Sequence, residues 1–475
     1  MRQVFLLSFG AVFSLTSAAQ VQSPEGFLGY RLGKQFTPHY RVVEYFRHVA
    51  MQASNQVKIV EYGTTYEGRP LLAAIVTSPT NMVQLEEIRR NNLRLTGLEE
   101  GQGNLNGPVI VWLTYNVHGN EAVSTEAAML TLYELLSKYT AWLKEAVVII
   151  DPCANPDGHS RYVNWYMQMV GVQPNIDPDA REHHEPWPGG RFNHYHFDLN
   201  RDWAWQSQRE TQQRIAFYQQ WMPQVHGDFH EMGVEQPYYF APAAEPYHKE
   251  ITSWQREFQS ILGKNIAQYF DRNHRLYFTR ETFDLLYPSY GDTWPTFNGA
   301  IGMTYEQGGS GRAGLSILTN NGDTLTLSKR IENQHTAGMA TIEIAVQQRK
   351  RLLEEFRNYF AQALTYPTGA YKSFIISAGN DPHKLKTLTE YLDRNQIRYG
   401  LAANAMTVKA FNYRNGKEET VNVTRNDLVI TIAQPKSVIS ESAFQPSHCP
   451  CRFGYLRCHC LGFALCDGFR GVCCR

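Results

Sequence analysis

Residues 108–121 read PVIVWLTYNVHGNE. The first ten carry no charge and are rich in β-branched and aromatic side chains, which predicts a buried strand. That strand runs directly into His118, Gly119, Asn120 and Glu121. Beyond it Ala128, Leu132, Leu135 and Leu136 recur at helical spacing, and residues 146–150 (AVVII) form a second apolar strand. Strand–helix–strand alternation of this kind, continued from about residue 26 to 366, predicts an α/β fold. Its sheet is expected to be mixed, mostly parallel and flanked by helices. Ligands of such sheets gather beyond the carboxyl ends of the strands, which is where His118 and Glu121 fall.

An imidazole and a carboxylate three residues apart, at a strand end and a helix start, can point into one crevice and hold one ion. Zinc accepts nitrogen and oxygen donors, and a catalytic site uses three protein ligands with one position left for water. His-x-x-Glu recurs by chance in many chains; the placement at a strand end gives it weight. A third donor should come from another strand end, and residues 225–231 (VHGDFHE) provide it. His226 and His230 compete. His230 is preferred, because the strand should end there and Asp228 can orient it.

These residues fall in a wider set of motifs. His118-x-x-Glu121, Asn155-Pro156-Asp157-Gly158, Asp198-Leu199-Asn200-Arg201, Asp228-Phe229-His230 and Met303-Thr304-Tyr305-Glu306 follow one another in the chain. In that order they resemble the zinc metallocarboxypeptidases of the carboxypeptidase A type, in a secreted, bacterial-like form. The resemblance covers about residues 26–366. It implies a zinc carboxypeptidase-like fold holding one zinc ion on His118, Glu121 and His230. Asn200 and Arg201 would grip the free α-carboxylate of a peptide or protein C-terminus, and Glu306 would be the general base. It also implies an oxyanion-stabilising arginine downstream of the Asn-Pro-Asp-Gly turn, for which Arg161 is the nearest candidate and Arg181 and Arg191 are rivals. A tyrosine closing over substrate is expected as well. Tyr290 is preferred to Tyr287 in a segment that is short beside the digestive enzymes. Asn120 stands where those enzymes have an arginine, so one substrate subsite is expected to differ. No inhibitory pro-domain of the digestive kind fits between residue 19 and the domain.

The chemistry makes sense of the same residue types. Peptide hydrolysis needs a nucleophile, and zinc lowers the pKa of its bound water towards neutrality. Glu306, at the end of the apolar run 301–305, could pass that water's proton to the leaving amine. The planar fork of Arg201 suits two-point capture of a terminal carboxylate, with Asn200 donating alongside. A zinc deacylase of N-acyl amino acids would use the same set, and a non-catalytic peptide-binding relative would keep the fold without turnover. Glu182, His183, His184, Glu185, His194 and His196 form a histidine-rich stretch on a long Gly/Pro-containing loop, expected to contact substrate at the rim and not a second metal. There is no HExxH and no GxSxG, which argues against the thermolysin-like zincins and serine hydrolases.

The chain has 475 residues, with 45 basic against 45 acidic side chains. That balance leaves no global field for nucleic acid or an anionic membrane. An aromatic content of 13% with 19% charged residues marks an ordered globular protein. Arg2, an apolar run over residues 4–15 and Ser17-Ala18-Ala19 read as a signal peptide of residues 1–19. The enzyme is therefore expected to be secreted or periplasmic, without a membrane span after processing, and to act as a monomer. The catalytic domain is expected over 20–367, followed by a small α/β domain over 368–439. That unit carries strands near 374–377 and 428–433, a helix after Pro382 and an Asn415-Gly416 hairpin. Seven of the eight cysteines crowd into residues 449–474. Cys153 alone serves the body, so the exported enzyme relies on its core and not on disulfides. The tail 440–475 reads either as a small disulfide or zinc knuckle, or as a stretch translated out of frame after a single-nucleotide change. The second reading is preferred, since the neighbouring frame can encode an ordinary strand and loop completing the small domain.

Overall fold

The computed structural model describes residues 21–367, 369–445 and 470–474. The expected signal peptide and most of the cysteine-rich tail, including Cys449, Cys451, Cys458, Cys460 and Cys466, lie outside the described residues. The main sheet is built from β1 (Val57–Thr64), β2 (Pro70–Val76), β3 (Val109–Tyr115), β4 (Ala146–Asp151), β5 (Val225–Met232), β6 (Tyr238–Tyr239), β7 (Tyr277–Phe278) and β8 (Ile301–Gly308). Their spatial order is β1-β2-β4-β3-β5-β8-β6-β7. The central four, β4, β3, β5 and β8, run parallel, while β1 and β2 join antiparallel to their neighbours; β6 pairs antiparallel with β8 and parallel with β7.

Every residue of β3 and β4 is buried, as the uncharged runs require of strands covered on both faces. Side chains alternate between two layers. On one face Val111, Leu113, Val148 and Ile150 pack with Leu132 and Leu135 of α1 (Val123–Ser137), Leu262 and Ile266 of α3 (Ser253–Arg272), and Ala337 of α4 (Leu327–Gln347). On the other, Ile110, Trp112 and Ile149 meet Ile215, Phe217 and Tyr218 of α2 (Arg209–Trp221). The chain leaves β3 through α1 towards β4 on one side, while β5 lies on the other. Strand order therefore reverses at β3, and a crevice opens between the carboxyl ends of β3 and β5.

The smaller unit contains β9 (Ser373–Ile376), α5 (Pro382–Arg394), β10 (Gly400–Leu401), β11 (Met406–Asn412), β12 (Lys417–Val423), β13 (Leu428–Thr431), α6 (Ser437–Phe444) and β14 (Gly471–Cys474). The sheet order is β10-β13-β9-β14-β11-β12, with every pairing antiparallel. Gly416, at φ 67°, supplies the left-handed residue that turns β11 into β12. Phe374, Leu388, Tyr391 and Leu392 of this unit share one apolar cluster with Phe217, Tyr218, Trp221 and Trp294 of the catalytic unit. Polar bonds cross the same junction, from Gln206 Nε2 to Asn395 Oδ1 at 2.9 Å and from Lys436 Nζ to Asn298 Oδ1 at 2.7 Å. Among the described residues no helix is long and apolar enough to cross a membrane.

Candidate metal centre and active site

The loop after β3 is shaped by Asn116. It sits in the left-handed region at φ 59°, a conformation Asn tolerates better than most residues. Its side-chain amide donates to the carbonyls of His118, Gly119 and Glu121 at 3.0, 3.3 and 3.0 Å. Gly119 is required by close approach. A Cβ there would lie 2.1 Å from the backbone of Gly158 and His159, at the start of the helix Pro156–Met169. Asn155 caps that helix by accepting from the Gly158 amide, and Pro156 fits its first turn. Asp157 accepts from Thr65 Oγ1 and Arg69 Nη1, each at 2.7 Å. The Asn155-Pro156-Asp157-Gly158 motif is thus a scaffold against which the metal loop rests.

Donor atoms of His118, Glu121 and His230 all lie within 4.8 Å of one another, and all three side chains are buried. His118 Nδ1 is 2.9 Å from Glu121 Oε1, and His230 Nδ1 is 3.0 Å from Glu121 Oε2. The two Nδ1 atoms face each other at 3.1 Å. The outer nitrogens are already committed: His118 Nε2 donates to Asp198 Oδ1 at 2.9 Å, and His230 Nε2 to Asp228 Oδ2 at 2.8 Å. Each Nδ1 is left with its lone pair turned inward. Two imidazole lone pairs and a carboxylate converging on one point repel unless a cation lies between them. This donor set, with carboxylates steadying the far side of each ring, is what a zinc ion takes. His226, the competitor for the third position, lies further down β5 against Trp203 and Tyr218, where burial lowers its pKa to about 3.

Glu121 is also held by the Glu231 amide at 2.9 Å. Behind it Glu231 pairs with Arg330 at 2.7 Å, both fully buried, and Gln334 donates to the His230 carbonyl at 2.8 Å. Two side chains of α4 therefore clamp the end of β5.

Glu306 stands opposite His230 in the parallel register of β8 and β5, so the two side chains leave the same face about 4.8 Å apart at their backbones. Its Oε2 is buried without a hydrogen-bond partner among the described residues. Burial pushes the carboxyl well above the ordinary range, with His230 the leading opposing influence.

Asn200 and Arg201 sit on a 3₁₀ turn, Leu199–Arg201, capped by Asp198. The Asn200 amide nitrogen is 3.2 Å from His230 Nε2, and its carbonyl accepts from the Gly291 amide at 2.7 Å. Arg201 is exposed, and its guanidinium lies 4.6 Å over the Tyr290 ring. Tyr287 packs edge-on against the Tyr290 ring at 5.0 Å and accepts from Trp205 Nε1 at 2.8 Å. Gly291 has to be small: a Cβ would come 1.9 Å from Asp228 Oδ2.

The arginines depart from sequence order. Arg161, the nearest after the Asn-Pro-Asp-Gly turn, spends its guanidinium on the carbonyls of Gly189, Phe192 and Asn193 at 3.0, 3.4 and 3.2 Å. Arg181 binds the His184 carbonyl. Arg191 is the one that reaches the cluster, 3.3 Å from Glu121 Oε1 and 3.0 Å from Asp198 Oδ2. The overlooked signal is Gly189-Gly190. A Cβ on Gly190 would lie 2.6 Å from the Gly158 carbonyl, so only glycine lets the loop carry Arg191 inward. The histidine-rich stretch serves as a clasp. Both ring nitrogens of His183 face carbonyls, of Arg312 and Asn175, and Glu185 accepts from Asn120 at 2.8 Å. Among the described residues, only His118, Glu121 and His230 form a group of three or more His, Cys, Asp or Glu side chains able to hold one ion.

Some solved structures are similar to this chain at low identity. The crystal structure of thrombin activatable fibrinolysis inhibitor is 15% identical over 72% of this chain and 82% of its own, with a TM-score of 0.46. The values for carboxypeptidase A from Helicoverpa armigera are 17%, 70%, 78% and 0.45. For a metallo-carboxypeptidase from Burkholderia cenocepacia they are 15%, 64%, 69% and 0.41. No curated protein matches significantly. The family model described as zinc carboxypeptidase matches residues 42–284, which carry all three metal donors, both carboxylate partners and the Asn200-Arg201 pair. With half of its length matched by that model, the chain belongs to the zinc carboxypeptidase family.

Proposed function

We propose that this metallocarboxypeptidase removes C-terminal residues from peptides with Glu306 as general base, Asn200 and Arg201 as the carboxylate anchor, and Arg191 beside the developing oxyanion. His118 Nδ1, His230 Nδ1 and Glu121 would hold zinc, which supplies polarisation of the scissile carbonyl and a water acidified towards neutrality. The observation that carries the reading is the convergence of these three buried donors, with Glu306 in register beside His230. A buried carboxyl oxygen without a hydrogen-bond partner among the described residues can take the water's proton and return it to the departing amine. Arg191 keeps a cation at the mouth of the cluster, where charge builds on the carbonyl oxygen. Arg161, assigned that role from sequence order, instead holds the loop that delivers Arg191. Arg201 offers an exposed fork, and the Tyr290 ring beneath it limits its motion. Tyr290, 4.6 Å from the Arg201 guanidinium, is read as the residue that closes over the terminal residue. The apolar run near the N-terminus supports export, and the enzyme is read as a secreted or periplasmic monomer.

Digestion of a mixed peptide library with and without chelator tests this. Stepwise loss of C-terminal residues that stops on chelation is expected. Cleavage of N-acyl amino acids with no trimming of longer peptides would favour the deacylase reading.

A further inference from the structure

We propose that Glu185 is a positioning residue for the reaction: its carboxylate ties the metal loop to the loop that carries Arg191 and so sets that guanidinium at the mouth of the cluster. The inference rests on the reading of Arg191 as the cation beside the developing oxyanion and adds the group that holds it there. Glu185 Oε2 accepts from Asn120 Nδ2 at 2.8 Å, and Asn120 lies between His118 and Glu121 in the chain. Glu185 Oε1 accepts from the Gly190 amide. The next residue, Arg191, reaches Glu121 Oε1 and Asp198 Oδ2. One carboxylate therefore bridges two segments, each a single residue away from a group of the cluster.

The bridge is closely packed. A Cβ on Gly190 would lie 2.7 Å from Tyr162 Cβ and 3.2 Å from Glu185 Oε1, so the loop is wedged between the helix Pro156–Met169 and the carboxylate. From the loop that follows β8, a Cβ on Gly311 would lie 2.9 Å from both Asn120 Nδ2 and Glu185 Oε2. The Gly311 carbonyl is fixed in turn by the Tyr162 hydroxyl at 3.0 Å. Glycine at both positions lets three segments close on one side chain.

A guanidinium on a long side chain is only as well placed as the backbone beneath it. Residues 184–198 contain neither helix nor strand, and the Arg191 side chain is 37% exposed. Side-chain bonds supply what regular structure does not: Arg161 holds the Gly189 carbonyl, and Glu185 the Gly190 amide. The metal loop has its own support, because Asn116 holds the carbonyls of His118, Gly119 and Glu121. Loss of Glu185 should therefore move Arg191 and spare the three donors.

Glu185→Ala, Glu185→Gln, Arg191→Met and the Glu185→Ala, Arg191→Met double variant test this in the zinc-loaded enzyme. Arg191→Met should lower kcat by about 10²–10³-fold. Glu185→Ala should lower it by about 10²-fold with KM unchanged, because the cation acts on charge that develops only in the transition state. In the Arg191→Met background the same change should add little. Zinc affinity, measured by competition with a chromophoric chelator, should match that of the parent. Glu185→Gln should recover most of the rate. Asn120 Oδ1 is buried without a partner among the described residues, so a half-turn of that amide lets it accept from the introduced amide, whose carbonyl keeps the Gly190 bond. Where a melt shows Glu185→Ala unfolded, Glu185→Leu keeps the bulk without the acceptors and takes its place. An equal loss with and without Arg191, a Gln variant as slow as the Ala one, or zinc affinity falling in step with kcat would overturn the positioning role and leave the carboxypeptidase reading intact. Full activity of Arg191→Met would overturn both the oxyanion role of Arg191 and the role of Glu185 behind it.

Discussion

Asp198 and Asp228 decide how two imidazoles present themselves, since each takes an outer ring N–H and turns an inner lone pair to the cluster. Asp228→Asn keeps the shape and removes the charge, so zinc affinity should fall by about 10–100-fold. Competition with a chromophoric chelator measures it, and unchanged affinity would remove Asp228 from the positioning role. Glu306→Gln should lower kcat by roughly 10²–10⁴ while zinc content stays at one per chain. Comparable turnover in that variant would exclude Glu306 as the base. At this scale His118, Glu121 and His230 were legible because strand ends are read from local patterns, and a donor at a strand end has only one crevice to enter. Arg191 was not. Between the helix Pro156–Met169, which carries Arg161, and Asp198 the chain runs mostly through loop, and sequence distance there says nothing about which guanidinium returns to the metal loop and which is consumed by backbone carbonyls.

Among the elements, α4 and β5 are joined by the buried Glu231–Arg330 pair. Removing one partner strands the other charge, so Arg330→Met should cost about 3–5 kcal/mol of stability. A denaturant melt checks this, and a loss below 1 kcal/mol would mean that water reaches the site. Helix α1 carries a second buried acid, Glu126, which accepts from the Thr37 amide at 2.6 Å and from its hydroxyl at 2.9 Å. Burial is the leading cause that raises its pKa from 4.5 to about 7, against the Thr37 bonds. A pKa raised on folding contributes stability that is complete below about 4.5 and is lost as pH rises through about 7. Glu126→Gln should therefore flatten the fall in melting temperature between pH 4.5 and 7. An identical slope in both proteins would assign the effect elsewhere. Neither Glu126 nor Glu231 looks unusual in the sequence. An acid in a helix reads as a solvated face until tertiary packing covers it, whereas the uncharged runs of β3 and β4 announce their burial directly.

Across the whole molecule, the smaller unit does not stand apart from the catalytic one. Trp203, Phe217, Tyr218 and Trp294 are covered in part by Phe374, Leu388, Tyr391 and Leu392, so the two units share apolar surface that either alone would expose to water. The shared cluster was not legible in the sequence, because apolar periodicity identifies a buried face without naming what buries it. The metal donors carry a consequence of the same non-local kind. His118 and His230 are 112 residues apart in the chain and come together only once β3 and β5 have paired. An ion bound between them therefore acts as a ligand of the native state alone, and by mass action it drains the unfolded population. At free zinc about 1,000-fold above its dissociation constant this is worth about 4 kcal/mol. The zinc-loaded protein should melt several degrees above the chelated one, with the gap widening as free zinc rises. Equal melting temperatures would show that the donors bind no ion tightly. The reactive centre would thus also be a reversible cross-link, closing the longest loop of the catalytic sheet without a disulfide.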